Sequence, residues 1–372
     1  MKKVIVSVTN DLYSDQRVDK VCNSLINMGF DVLLVGRRYR NSPALAPRAY
    51  QTHRLHLMFR KGAKFYAEYN VRLFFYLLFK KCNILISNDL DTLLPNFIIS
   101  KIRKKRLVYD SHEYFCGVPE LIGRPFVQNV WRKIERFCFP RLKDVITVNQ
   151  SIANLYDREY PNRKNRVNVV RNIPTRPKPP ITETRDTLGL PRDKAILILQ
   201  GSGINVDRGA EELVAAMQFV DNALLLLVGS GDAVPNLKMQ VEKQNLNDKV
   251  RFIARVPFAK LFNYTYLADI GFSLDKDTNI NYRFSLPNKI FDYIKAETPV
   301  IVSDLPEIAK VVREAQVGIV IADHQPETIA QAIQTLLTDN TLYAKLKENT
   351  LKAGDHYCWE NEEAVLRKIY LE

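Results

Sequence analysis

The sequence predicts two parallel α/β domains in succession, each doubly wound, and three observations lead there. Short apolar runs alternate with stretches of helical period along most of the chain. A seven-residue segment with four prolines, Pro174 to Pro180, interrupts the series, and such a segment is extended and stiff. The charge also changes sign there: through Pro180 the chain carries 33 Lys and Arg against 14 Asp and Glu, and the remainder 21 against 27. A chain of 372 residues is long enough for two cores. The expected domains are residues 1–176 and 177–356.

In the first half, Val4 to Val8 reads as a strand. Val18, Val21, Cys22, Leu25, Ile26 and Met28 repeat with helical period, and Gly29 closes that helix. Asp31 to Gly36 is the next strand. Leu55 to Phe79 contains an aromatic-rich helical stretch, with Phe65, Tyr66, Tyr69, Phe74, Phe75, Tyr76 and Phe79, whose rings are expected mostly in the core, although Arg60, Lys61, Lys64, Lys80 and Lys81 leave room for an interfacial edge. Strands follow at Ile84 to Ser87, Arg106 to Tyr109, Asp144 to Val148 and Val167 to Val170, with a helix over Gln150 to Tyr160. Ligands of such sheets bind beyond the carboxyl ends of the strands, so the loops there are where chemistry is sought. The first, Thr9 to Arg17, has no GxGxxG dinucleotide fingerprint. Its Asp15 and Arg17 are acceptor-binding candidates, with Asp15 equally suited to cap the next helix. Ser87 to Thr92 offers Asp89 in the same role, while Asp91 has the position of an N-cap. Tyr109 to Tyr114 places His112 directly after a strand, between Asp110 and Glu113, where a histidine can donate to a substrate hydroxyl or phosphate near neutral pH.

The second half repeats the pattern: strand Ala195 to Gly201, helix Gly209 to Val220, strand Ala223 to Val228, helix Val234 to Gln244, strand Val250 to Phe252, helix Phe258 to Leu267 and strand Asp269 to Leu274. Gly201-Ser202-Gly203 follows a strand, so its backbone can approach a phosphate closely. Arg208, at the next helix start, would face the same anion and can bind it bidentately. Phe284 to Ile301 then runs from a polar loop through Pro287 into a short helix and an apolar strand. Asn288 and Lys289 stand at that helix N-terminus, which favours an anion. Asp292, three residues beyond Lys289, projects from a neighbouring position on one face and suits two vicinal sugar hydroxyls. A plain surface Lys–Asp pair is the competing reading.

Composition narrows the classes further. No window reaches the roughly 18 apolar residues of a membrane span; the nearest, Val71 to Phe79, is too short and contains Arg72. The opening MKKVIVSVTND reads as a strand rather than a secretion signal. Five cysteines with no CxxC argue against disulfides and zinc clusters and for a reducing compartment, hence a cytoplasmic protein. The basic first half, with runs such as Lys101 to Arg106, suits anionic lipid or a diphosphate-bearing substrate. Nucleic acid is not expected as a partner, since no RNA- or DNA-binding motif accompanies the charge.

With these residues in hand, the chain resembles the GT-B retaining glycosyltransferases of group 1, family 4. LILQGSGINVDRGAEELVAAM, VRFIARVPFAKLFNYTYLADIGFSL and SLPNKIFDYIKAETPVIVSDLPEIAKVV resemble that family's donor-binding region. DQRVDKVCNSLINMGFDVLLV and YDSHE resemble its first domain, and the final YCWENEEAVLRKIY its terminal helix, which implies that about 357–372 packs back on that domain. The resemblance implies two Rossmann-like domains facing across a cleft and closing about Pro174 to Pro180. It also implies transfer of a sugar from a nucleotide-diphosphate sugar with retention of configuration. Gly201, Ser202, Arg208, Asn288 and Lys289 would contact the diphosphate, Asp292 the ribose, and His112, with Glu113, would serve catalysis. No cofactor or metal is implied beyond the donor. The acceptor would be a glycan or a lipid-diphosphate-linked glycan in cell-surface polysaccharide assembly, met by the basic domain at the inner face of the cytoplasmic membrane. Three departures matter: Asp292 stands where the family has its second Glu, the Gly201 loop lacks the family's usual arginine after the glycine, and the family's first acid, eight residues before Asp292, is Phe284 here. That motivates a catalytically impaired partner subunit as an alternative; a nucleotide-sugar 2-epimerase is a second, but would want more acids and histidines near the sugar.

Overall fold

Strand formation follows the apolar runs, and all pairing is parallel. A computed structural model describes residues 1–13 and 15–372. The strands are β1 (Lys3–Ser7), β2 (Asp31–Arg38), β3 (Gln51–His56), β4 (Ile84–Asn88), β5 (Arg106–Ser111), β6 (Asp144–Thr147), β7 (Asn168–Val169), β8 (Ala195–Gly201), β9 (Ala223–Gly229), β10 (Val250–Ile253), β11 (Ile270–Ser273), β12 (Val300–Ser303) and β13 (Gly318–Ile321). They form a seven-stranded sheet, β3-β2-β1-β4-β5-β6-β7, and a six-stranded sheet, β10-β9-β8-β11-β12-β13. Each sheet is one compact unit: Met1–Arg171 with Glu362–Glu372, and Asn172–Asn361.

In the second unit the strands alternate their side chains between two apolar layers. Leu197, Leu199, Leu225, Leu227 and Phe272 pack with helices Ala210–Ala216 and Pro326–Thr338. Ile196, Ile198, Leu224, Leu226, Val300 and Val302 pack with Ile290, Phe291 and Ile294 of helix Asn288–Lys295. The chain winds one way from β8 through β9 to β10 and the other way from β11 to β13. The carboxyl ends of β8 and β11 therefore flank the switch point where α/β sheets take their ligands. The corresponding point of the first unit lies between β1 and β4.

Some expectations need correction. The helix expected over Gly209 to Val220 is α-helical only over Ala210–Ala216 and tightens to a 3-10 turn, Met217–Phe219. The aromatic helical stretch within Leu55 to Phe79 is Gly62–Phe79, and β3 before it is a strand the sequence does not signal. As an edge strand, β3 buries only Leu55, so it lacks the apolar run that marks the central strands. The aromatic residues of that helix are not mostly core: Phe65 and Tyr69 are buried, but Phe75 and Phe79 are 54% and 79% exposed. Among the described residues, no helix is long and apolar enough to cross a membrane.

Candidate active site

The second unit gathers its candidate residues around its switch point. Arg208 extends from the turn before helix Ala210–Ala216 and donates to Asp275, just past β11, at 3.0 Å. Asp275 is fully buried and Arg208 partly exposed, so the carboxylate aims the cation rather than neutralising it in solvent. Tyr282 lies beneath the guanidinium, 4.6 Å to its ring centre. One oxygen of Asp275 and Nε of Arg208 are buried without a hydrogen-bond partner. Lys289 joins them: burial lowers its pKa, while Asp275 raises it and Arg208 lowers it. Its helix is pinned in place by the buried Tyr293, whose hydroxyl accepts from the amide of Gln200 and donates to the carbonyls of Ile198 and Phe272, each at 3.2 Å. Gly271 leaves the space that the Tyr293 ring fills, since a Cβ there would sit 2.6 Å from it.

Glycine is required at some positions here and not at others. Gly209 has φ +74° and a Cβ there would lie 2.2 Å from the Leu274 carbonyl oxygen. At Gly229, φ is +138° and the clash, at 1.8 Å, is with the Gly201 carbonyl oxygen. Gly201 and Gly203 have no such reason: a Cβ on either meets only ordinary contacts, at 3.7 and 3.6 Å. The space in front of the loop is not filled by the protein, which is what close approach of a ligand to the backbone needs. Ser202 and Asn288 are exposed, and Asp292 is half-buried on the second turn of its helix.

In the first unit the structure builds around His112. Its backbone amide donates to Asp89 Oδ1 at 2.8 Å, and its Nδ1 lies 3.4 Å from Asp89 Oδ2. On its other side, Nε2 is 3.1 Å from Asn88 Oδ1 and 3.7 Å from Asp110. Burial works to lower the pKa of His112, but Asp89 and Asp110 outweigh it and push it up to about 9, so the ring is an imidazolium at neutral pH. Burial likewise pushes the Asp110 carboxyl up, and Arg17 and His112 together hold it well below the usual range. Asp89 occupies φ +57°, ψ 168°, a backbone state that side-chain-bearing residues rarely adopt. Glu113 is exposed.

The acceptor-loop candidates fare differently. Arg17 is corrected: it is 4% exposed, paired with Asp110 at 2.7 Å and bonded to the Val170 carbonyl at 2.8 Å, so it ties the first helix to β5 and faces no ligand. Asp15 caps that helix, accepting from the Val18 amide at 3.0 Å. Asp89 is occupied with His112. Asp91 is not an N-cap: it lies within helix Leu90–Ile102 and accepts from Thr9 Oγ1 at 2.5 Å across the switch point. Burial, then Asp89, push its pKa up to about 7 against the Thr9 hydrogen bond.

Comparison with known proteins decides the family. Residues 180–353 match the family described as glycosyl transferases group 1, and residues 15–173 match Glycosyltransferase Family 4. The chain belongs to the group 1 glycosyltransferases. Chitobiosyldiphosphodolichol beta-mannosyltransferase of Candida albicans is 21% identical over 291 residues, 72% of this chain and 62% of that protein. D-inositol 3-phosphate glycosyltransferase of Xylanimonas cellulosilytica is 23% identical over 203 residues, 51% and 45% respectively. The chain thus spans less than two thirds of the length of these curated relatives. Sucrose-phosphate synthase from Thermosynechococcus elongatus shares the fold at TM-score 0.81 and 18% identity, over 100% of this chain and 98% of that one. So does Anabaena HepE, solved with UDP and glucose, at TM-score 0.75 and 14% identity over 99% of both chains. The fold is therefore GT-B. In this group 1 glycosyltransferase, two residues that organise the site, Asp275 and Tyr293, carry weak sequence signals. Asp275 is an acid just past an apolar strand; Tyr293 is one apolar position among several on its helix.

Proposed function

We propose that the chain transfers a sugar from a nucleotide-diphosphate sugar to a glycan or lipid-diphosphate-linked acceptor with retention of configuration, in cell-surface polysaccharide assembly. One observation carries the reading: Arg208, held by the buried Asp275 carboxylate, and Lys289, which feels the same carboxylate, stand with an open glycine loop at the switch point. Such a group receives a diphosphate and stabilises the charge that builds on it as the sugar leaves. Gly201, Ser202 and Asn288 add backbone and side-chain donors, and Asp292 holds the ribose. No side chain of this unit is assigned as nucleophile, so the acceptor hydroxyl attacks on the face the diphosphate leaves, and the diphosphate takes its proton. His112, an imidazolium, donates to a substrate hydroxyl or phosphate, with Glu113 beside it. The two cations supply the positive charge, so turnover is expected to persist in EDTA.

The relatives' names support this choice of substrates: HepE was solved with UDP and with UDP-glucose, and the Candida protein's name describes a mannosyl transfer to a diphosphate-linked lipid glycan. UDP-sugars are therefore the donors to try first. The test is calorimetric titration of UDP and UDP-glucose into wild type and Asp292→Ala. Each charge-assisted hydrogen bond lost is worth about 1.5–3 kcal/mol, or about ten- to hundredfold in affinity. An unchanged affinity would remove the ribose assignment.

Phe284 favours a second reading, a partner subunit that binds donor without turning it over, because the family has an acid there. A mass-spectrometric transfer assay over a donor panel separates the two: nucleotide binding with neither transfer nor hydrolysis supports the partner subunit.

A further inference from the structure

We propose that the cavity at the carboxyl ends of β2 and β3 binds the diphosphate of a lipid-linked acceptor. The role given to that ligand rests on the glycosyltransferase reading above; the site itself does not. The cavity is about 370 Å³ and is lined by Arg37, Arg38, Arg40 and Arg60 together with Tyr39 and Phe59. Arg37 is built in rather than merely present. Its guanidinium sits between the rings of Tyr39 and Phe65, at 4.1 and 4.3 Å from their centres. It donates to the Arg60 carbonyl at 3.4 Å, and its Nε is buried without a partner. Arg38, Arg40 and Arg60 are exposed and make no ion pair among the described residues.

Two acids on the surrounding segments are committed elsewhere. Asp11 pairs with Arg54 at 3.1 Å and accepts from Ser42. Glu68 accepts from the amides of Met58 and Phe59 and pairs with Arg72 at 2.8 Å, which also fixes the loop carrying the rim of the cavity. Arg37 feels the carboxylates of Asp91 and Asp11, but Arg38, Arg40 and Arg60 line the cavity with no ion pair among the described residues, and their planar forks match phosphate oxygens bidentately. The rim is apolar: Met58 and Phe59 are 74% and 42% exposed. A ligand with a polyanionic head and an apolar tail satisfies both features; a free phosphate satisfies only the first. The position agrees. β2 and β5 are three strand spacings apart in the sheet, about 14 Å at ~4.8 Å each. That separation leaves room for a saccharide between a diphosphate in the cavity and a hydroxyl near His112.

The test measures binding of farnesyl diphosphate, farnesol, inorganic pyrophosphate and UDP to the full chain and to the Arg38→Gln/Arg40→Gln double variant. Both side chains are exposed, so the variant folds, as its thermal transition will report. The expected result is farnesyl diphosphate binding that weakens at least tenfold in the variant, with pyrophosphate binding more weakly and farnesol not at all. Pyrophosphate binding as tightly as farnesyl diphosphate would keep the anion site but overturn the lipid-linked ligand. Farnesyl diphosphate binding that is absent, or unaffected by the substitutions, would overturn the proposal. UDP, followed by the other nucleoside diphosphates, reports separately on the other unit: failure of UDP alone would remove a UDP-sugar donor, and failure of all of them the glycosyl-transfer reading, while leaving the cavity result standing.

Discussion

His112 sits between two carboxylates, and that arrangement has a pH signature. Its folded pKa, about 9, lies above the value near 6.5 of an unfolded chain. The stabilisation it receives is therefore fully present below about pH 6.5 and is lost as pH rises through about 9. Turnover that relies on the imidazolium should fall over the same alkaline limb. His112→Ala is expected to lower kcat while leaving UDP affinity within about twofold, and to abolish that limb; an alkaline limb that survives in the variant assigns it to another group. Asp91 shifts stability in the same direction with pH, but as a penalty confined to a lower window. Its buried carboxyl titrates at about 7 instead of 3.8, so wild-type stability declines from about pH 4 to 7 as the unfolded chain ionises first. The full shift corresponds to about 4 kcal/mol. Asp91→Asn keeps an acceptor for Thr9 and should be the more stable protein, by a margin that grows from pH 5 to pH 8. Thermal melts at the two pH values check this, and an equal margin at both would show that Asp91 does not titrate in that range.

Between the residue and the fold stand the elements, and here the glycines divide by cause. Gly229 is demanded by the backbone, with φ +138° and a carbonyl oxygen where its Cβ would be. Gly201 is not demanded by anything the protein itself places there. Gly229→Ala should therefore destabilise the second unit, by more than the roughly 1 kcal/mol of a mere propensity change. Gly201→Ala should leave the melting temperature nearly unchanged and cost donor affinity instead. If the two variants behave alike in melts and in UDP titration, the open loop is not a ligand site. The same element level shows what was legible in the sequence. Central strands such as β8 and β9, apolar along nearly their whole length, were readable to within a residue or two, as was the helix carrying Lys289 and Asp292. β3 was not, because an edge strand buries one residue and leaves no pattern. Arg17 was misplaced because an arginine in a polar loop looks solvent-facing; only the fold brings Asp110, 93 positions away, against it. Asp275 was missed for the same reason: its partner Arg208 is 67 positions distant.

For the molecule as a whole, the charge asymmetry and the exposed apolar residues of the first unit point the same way. Phe75 and Val71, four residues apart, share the outer side of helix Gly62–Phe79, and Phe79 continues it one turn on. Met58 and Phe59 are exposed on the preceding loop, and Arg60, Lys61, Lys64, Lys80 and Lys81 flank both ends. An apolar face bordered by cations is suited to the plane of an anionic membrane, where apolar burial and charge attraction add. Neither term alone gives firm binding: each surface cation is worth about 1 kcal/mol and is screened beyond about 10 Å at 0.1 M salt. The combination predicts co-flotation with vesicles containing a third phosphatidylglycerol, but not with pure phosphatidylcholine. Raising salt should weaken it without abolishing it, because the apolar contribution is not screened. Phe75→Ser/Phe79→Ser removes exposed side chains only and should fold normally. Its residual binding at low salt should vanish at 0.5 M, whereas that of wild type should not. Flotation of the variant indistinguishable from wild type at both salt concentrations would move the membrane contact off this helix.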